Sequence, residues 1–338
     1  MSRNVKIPPI WDGTGLSLVI ILSLLTTIII IFSLDISTLN LQDKFFEPAS
    51  AQGFDNTRSG IQNETAESTT TIPADRTLMV KLLADNLENR LNKSAAILEI
   101  TGELPQVKNV SYASSISSEL HGIPKDLDIA KRKVAHDILA SDKDLQLIFF
   151  LMPNGDMYME EPYSRQQNLT RNNFAFREYY KGAISTGDTY LGNVVISASS
   201  GLRQSNIAVP LYSSSASDNN GNRNNSNNNN NLTLLGIWSG GLNLTVFSET
   251  LQSLNLTNGE RIVYVDQNGQ KVADSNKQSF RTNQNESFAN LQAFNNALLQ
   301  EQKPGSVVEM INGIRMLVFY EPVQFHSTTW AVLLLKPL

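Results

Sequence analysis

Residues 174–212 read FAFREYYKGAISTGDTYLGNVVISASSGLRQSNIAVPLY, and the interpretation of the whole chain turns on this stretch. It sets an arginine and two aromatics at a helix start (Arg177, Tyr179, Tyr180), then a Thr186-Gly187 break, then two strand-like runs that close on Val209-Pro210. The guanidinium of Arg177 is a planar fork of donors that can hold a carboxylate by two parallel hydrogen bonds, and Tyr179 and Tyr180 offer aromatic walls with hydroxyl handles. Tyr190, Ser197 and Ser199 follow on the next strand as further polar side chains. The competing reading pairs Arg177 with a neighbouring acid and packs the tyrosines in a core.

Outward from there, Leu145–Glu160 (LQLIFFLMPNGDMYME) and Arg261–Asp274 (RIVYVDQNGQKVAD) share one pattern: a β-rich run, Asn-Gly, and a second strand. Asn-Gly is a strong hairpin signal because both residues tolerate positive φ. A helix candidate around Phe288–Leu299, a third hairpin over Val307–Tyr320 with its turn at Asn312-Gly313, and a final strand Trp330–Leu335 complete the pattern. Upstream, Val80, Leu83, Leu87, Leu91, Ala95 and Leu98 recur at three- and four-residue spacing, which predicts a helix over Asp75–Thr101 about 40 Å long at 1.5 Å per residue. Helix, hairpin, helix and antiparallel strands, met twice, is the order of an α+β chain of two related modules.

These segments together resemble the double Cache sensor domains, which are PAS-like and extracytoplasmic. In that family an R-x-[WYF]-[FY] element, here Arg177-Glu178-Tyr179-Tyr180, sits over a pocket whose floor is formed by the strands after the T-G break. The resemblance covers about residues 75–338 and implies two PAS-like modules with central antiparallel sheets. The long helix and the membrane-distal module would occupy 73–243, and the membrane-proximal module 244–338. It implies a small-molecule ligand in the distal module, held by Arg177, Tyr179, Tyr180, Tyr190, Ser197 and Ser199, with no cofactor and no catalysis. Amino-acid-binding members carry a Tyr five residues before the Arg, where this chain has Asn172, and an Asp that aligns with Gly241. Without that acid an α-amino group loses its charge partner, so the expected ligand is an organic acid or an uncharged metabolite, and common α-amino acids are expected to bind weakly.

Residues 13–34 carry no charge, and 16–34 are dominated by Leu, Ile and Val, long enough to cross a hydrocarbon core of roughly 30 Å. Arg3 and Lys6 precede this run and Asp35 and Asp43 follow it, which places residues 1–12 in the cytoplasm and everything after the helix outside. The alternative is a cleaved signal peptide, with Ala49-Ser50-Ala51 as the cleavage site, but the apolar run is longer than an ordinary signal sequence and lies upstream of that site. Residues 35–72 read as a flexible linker, and 218–231 as a disordered Asn-rich loop with too little apolar surface to offset the entropy of ordering. Asn-x-Ser/Thr sequons, at Asn224 and Asn231 among others, suit an extracytoplasmic surface.

The chain of 338 residues has no cysteine, which excludes disulfides, thiolate metal sites and a cysteine nucleophile. A net charge of −5, with its basic residues scattered, lacks the footprint of a nucleic-acid binder. His121, His136 and His326 share no metal spacing. Gly236-Ile237-Trp238-Ser239-Gly240 misplaces its serine for a nucleophile elbow, and Asp266-Gln267-Asn268-Gly269 reads as a hairpin turn instead of a calcium loop. With residues 1–12 too few to fold as an effector, a chain that ends at Leu338 is expected to signal through a homodimer along the long helix or a separate transmembrane partner. The alternative is an anchored surface glycoprotein or solute-binding protein without signalling output, and after these a surface enzyme.

Overall fold

The computed structural model describes residues 74–213, 232–257, 259–278, 286–298 and 303–338. The expected membrane helix at 13–34, the linker to 72 and the Asn-rich loop lie outside these residues. Among the described residues no helix is long and apolar enough to cross a membrane.

Helix α1, Ala74–Gly102, buries the face that the spacing predicts: Val80, Leu83, Leu87, Leu91, Ala95 and Leu98 are all buried. These side chains join one continuous apolar cluster with Ile148, Phe150 and Trp238 of one sheet and Tyr264, Phe319 and Trp330 of another. The two sheets thus share a core on one face through α1. Each covers its opposite face with a helix of its own.

The first sheet follows helix α2, Ile129–Ser141, and holds β1 (Leu145–Leu151), β2 (Met157–Glu161), β3 (Tyr190–Leu191), β6 (Asn206–Tyr212) and β7 (Leu234–Leu242), in spatial order β2-β1-β7-β6-β3. Helix α3, Glu178–Thr186, leads into β3, and a small hairpin of β4 (Val195–Ile196) and β5 (Arg203–Gln204) is inserted before β6. The second sheet follows helix α4, Leu244–Gln252. It holds β8 (Arg261–Val265), β9 (Lys271–Asp274), β10 (Gly305–Ile311), β11 (Ile314–Phe325) and β12 (Thr328–Pro337), with helix α5, Gln292–Leu298, after the first hairpin. Its order, β10-β11-β12-β8-β9, is that of the first sheet read from the other edge, and every pairing in both sheets is antiparallel.

The correspondence extends to single residues. Gly155 and Gly269 take positive φ, +85° and +71°, in the β1–β2 and β8–β9 turns, and each presses against the backbone of an alanine, Ala175 or Ala289. The N–H of Phe174 donates to Gly155 at 2.8 Å, and that of Phe288 donates to Gly269 at 2.7 Å. Both hairpins carry a register shift at the same place, so Phe149 faces Glu160 where Val263 faces Asp274, and Leu151 faces Met157 where Val265 faces Lys271. A bulge of this kind turns two residues spaced by three onto one face of the strand. The difference between the modules lies between the third and fourth strands. The second module closes β10 onto β11 with the Asn312-Gly313 turn, whereas the first inserts the β4–β5 hairpin.

Candidate functional site

In the first module α3, the chain leading into it and the β4–β5 hairpin cover the face of the sheet opposite α1. Gly187, at φ +68°, ends α3 in the left-handed conformation, and Arg177 is its N-cap residue. Between these elements lies a small interior cavity of ≈ 20 Å³, walled by Leu147, Phe149, Met157, Phe174 and Tyr179. That is about the room of one water. Its polar lining is Glu160, Arg177, Ser197, Ser199, Gln204 and Asn206. Outside the hairpin an open cleft of ≈ 660 Å³ shares Arg177, Val195, Ser197, Ala198 and Ser199 with the cavity. The hairpin is therefore the wall between cavity and cleft.

Of the six residues singled out in the sequence, the structure gathers four around this cavity. Arg177 is half-buried and donates through Nη2 to the carbonyl of Ile196 at 2.9 Å, with no ion pair to a neighbouring acid among the described residues. Tyr179 is buried with its ring edge on Phe149, centroids 5.8 Å apart, and burial holds its hydroxyl pKa above the ordinary value. Ser199 Oγ donates to Glu160 Oε1 at 2.8 Å and lies 3.3 Å from Ser197 Oγ.

Tyr180 and Tyr190 are outside the cavity lining. Successive residues on a helix point about 100° apart, so Tyr179 and Tyr180 cannot face one cavity together. The Tyr180 hydroxyl donates instead to the carbonyl of Pro153 at 2.6 Å, bracing the β1–β2 turn. That of Tyr190 donates to Glu178 and takes a hydrogen bond from Gln267 of the second module at 3.3 Å. Asn172 Oδ1 pairs with His121 Nδ1, and the residue is not part of the lining. Gly241 lies against the wall: a Cβ there would meet Leu147 Cγ at 2.8 Å and Asn206 Oδ1 at 3.2 Å.

The residue that sequence reasoning missed is Glu160. It is 3 % exposed, and burial pushes its carboxyl up to about 7, with the Ser199 hydrogen bond and the charge of Arg165 pulling the other way. Gln204 donates through Nε2 to Asn206 at 2.9 Å, while its buried Oε1 has no hydrogen-bond partner. Chemically, the site offers a guanidinium at its rim, and inside it a carboxyl and an unfilled carbonyl acceptor. Among the described residues no group of three His, Cys, Asp or Glu side chains is arranged to hold a metal.

Comparison with known proteins places these features in context. The Cache domain family profile matches residues 59–338. No curated protein matches the sequence. Among solved structures, the chain is similar to the ligand-binding domain of the Pseudomonas aeruginosa amino acid chemoreceptor PctB in complex with L-Arg, at 15 % identity and a TM-score of 0.52, covering 78 % of this chain and 94 % of that one. The ligand-binding domain of the Pseudomonas fluorescens chemoreceptor CtaA in complex with L-isoleucine gives 14 % identity and a TM-score of 0.51, covering 78 % and 91 %. The extracellular domain of the putative histidine kinase rpHK1S-Z16 gives 14 % and 0.54, covering 78 % and 92 %.

Proposed function

Since the chain belongs to the Cache domain family, we propose that it is the sensory region of a membrane-anchored receptor and takes a small molecule in the first, membrane-distal module. The observation that carries this reading is the cavity itself. Polar groups from β2, β6, the start of α3 and the inserted β4–β5 hairpin converge there on one space. A half-buried Arg177 at the rim, held by a backbone carbonyl instead of an acid, keeps its remaining donors for a carboxylate. A cavity of ≈ 20 Å³ is far below the 300 Å³ or more of an ordinary ligand site, so binding requires the β4–β5 hairpin to yield toward the outer cleft.

The test is Arg177→Ala, titrated by calorimetry with whichever ligand a metabolite thermal-shift screen finds. Removing a charged hydrogen-bond donor from a desolvated site costs about 1.5–3 kcal/mol, or roughly ten- to a hundredfold in affinity. An unchanged dissociation constant would place the site elsewhere.

The anchor is proposed to be residues 16–34, with 1–12 in the cytoplasm and the modules outside. Protease added to intact cells should then remove an epitope fused after Leu338, and full protection of that epitope would reverse the topology. Output is proposed to pass through association, as a homodimer along α1 or with a separate transmembrane partner. Leu78 and Leu82, one turn apart on α1, are 54 % and 55 % exposed, an apolar pair that suits a helix partner. Cross-linking in native membranes with and without ligand tests this, and a strictly monomeric chain in both conditions would refute it.

A further inference from the structure

The second module shows what the cavity of the first one lacks. At the position of Glu160 it has Asp274, also buried, and at the positions of Leu147 and Met157 it has Arg261 and Lys271. Those two cations ion-pair with the acid. Arg261 donates to Asp274 at 3.1 and 2.6 Å and to Glu286 at 2.9 and 2.5 Å. Lys271 Nζ, fully buried, lies 3.2 Å from Asp274 and 3.1 Å from Glu286. The Arg261 guanidinium also sits 5.6 Å from the ring centroid of Phe288, the counterpart of Phe174 in the wall of the first cavity.

In the first module the acid remains and both cations are gone, replaced by Leu147 and Met157. The Glu160 carboxyl accepts one hydrogen bond, from Ser199, and has no ion-pair partner within 4 Å among the described residues. Gln204, whose buried Oε1 has no hydrogen-bond partner, lines the same cavity. A buried carboxyl and a buried carbonyl acceptor, both short of donors, cost stability unless something with N–H groups and positive charge completes them. An aromatic wall of Phe174 and Tyr179 suits the same cation.

We propose that Glu160 is the counter-ion for an ammonium group of the ligand, which takes the place that Arg261 and Lys271 occupy in the second module. This rests on the distal-pocket reading above and narrows it. With Arg177 receiving a carboxylate, the ligand is a zwitterion, an organic acid that also bears a primary amine. The acid absent at Gly241 is then supplied from β2, and the expectation that amino acids bind weakly is replaced by its opposite.

The charged and titratable groups around Glu160 make the binding proton-linked. Glu161, next on the strand, is engaged by Arg132 at 2.6 Å; Arg165 approaches from the short helix Tyr163–Gln167; Arg177 and Tyr179 face it from the start of α3; β1 presents apolar Phe149, and the hairpin presents Ser197, Ser199 and Gln204, while its cation Arg203 donates to the carbonyl of Lys271. With Glu160 titrating at about 7, part of the ligand-free protein carries a proton there near neutral pH, and an arriving ammonium expels it. Affinity then rises about tenfold from pH 6 to pH 8, because the ionised fraction of a group titrating near 7 rises by that factor while the amine stays charged.

The test is calorimetry on the full chain in nanodiscs. The probes are L-leucine, L-glutamine, L-arginine and γ-aminobutyrate, set against 4-methylpentanoate and butyrate, which match two of them without the amine. At least one amine-bearing probe is expected to bind, with its amine-free match at least tenfold weaker. Glu160→Gln should weaken binding at least tenfold and abolish its pH dependence. Met157→Lys, which copies Lys271 beside the acid, should abolish binding without lowering the melting temperature, a result that misfolding cannot produce. Equal binding of the amine-free acid, or wild-type affinity in Glu160→Gln, overturns the ammonium assignment. If Arg177→Ala still abolishes that binding, the pocket reading survives. No binding by any probe overturns both.

Discussion

The backbone N–H of Val194 donates to Asp266 Oδ2 at 2.8 Å, tying the foot of the β4–β5 hairpin in the first module to the β8–β9 turn of the second. The other foot is tied beside it, where Arg203 Nη2 donates to the carbonyl of Lys271. Asp266 Oδ1 meanwhile receives the N–H groups of Asn268 and Gln270, at 2.9 and 2.8 Å. On the proposed reading, the hairpin that yields for a ligand to enter is thus clamped to the neighbouring module. A ligand favouring one hairpin position biases that junction too, through its differential affinity for the two states.

Asp266→Ala removes an acceptor from three backbone N–H groups and is expected to cost about 1–3 kcal/mol in chemical denaturation. It should also speed amide hydrogen exchange across residues 193–204 more than elsewhere in the first module. Exchange in that segment indistinguishable from wild type would show that the clamp does not hold the hairpin.

Gly155→Ala and Gly269→Ala test the repeat. Each residue needs a left-handed backbone, and an added Cβ would lie 2.6 Å from Ala175 N in one case and 2.5 Å from Ala289 N in the other. Positive φ alone costs a non-glycine residue about 1–2 kcal/mol, so each variant should lose at least that much. Loss of similar size in both is expected, and tolerance of alanine at either position would argue against equivalent turns.

Glu160→Gln should stabilise the ligand-free protein at alkaline pH. Burial raises the folded-state pKa from 4.5 to about 7, so between those values the folded form holds a proton that the unfolded form has released. Stability from this group is full below 4.5 and is lost as pH rises through 7. Glutamine has nothing to titrate, and its melting temperature at pH 8 should exceed that of wild type while the two converge near pH 5. A lower melting temperature at pH 8 would mean that the carboxylate has a partner.

Glu286 runs the other way. Burial alone would raise its pKa, but the hydrogen bonds and charges of Arg261 and Lys271 outweigh it and bring the carboxyl down to about 2. Its contribution is present above 4.5 and disappears as pH falls through 2, so Glu286→Gln should flatten the loss of stability on that acid limb. Urea midpoints at pH 6 and pH 2.5 decide it: the same acid-induced drop in both proteins would exclude this pairing.

Much of this architecture is legible in the sequence where local chemistry fixes the backbone. The Asn-Gly turns, the glycine that ends α3 at position 187 and the spacing along α1 each reflect a constraint that tertiary contacts only confirm. Glu160 is hidden for a specific reason. Simple alternation along Met157–Glu161 sets Glu160 opposite Met157, and only the bulge against Phe150 and Leu151 brings both to the cavity. Laying the two hairpins over each other, MYME on KVAD, aligns Glu160 with Asp274 and would have revealed the acid. The choice of both tyrosines failed on helix geometry, and Tyr190 serves the junction between modules, which no local pattern announces.

The plugged acid of the second module also bears on how such a chain diversifies. In a repeated architecture one unit can meet the cost of a buried acid with its own cations while the other keeps the acid without them. Here Arg261 and Lys271 do that for Asp274. On the proposed reading, Leu147 and Met157 in place of Arg261 and Lys271, together with the inserted β4–β5 hairpin, are what leave one unit able to answer to its surroundings and the other as framework.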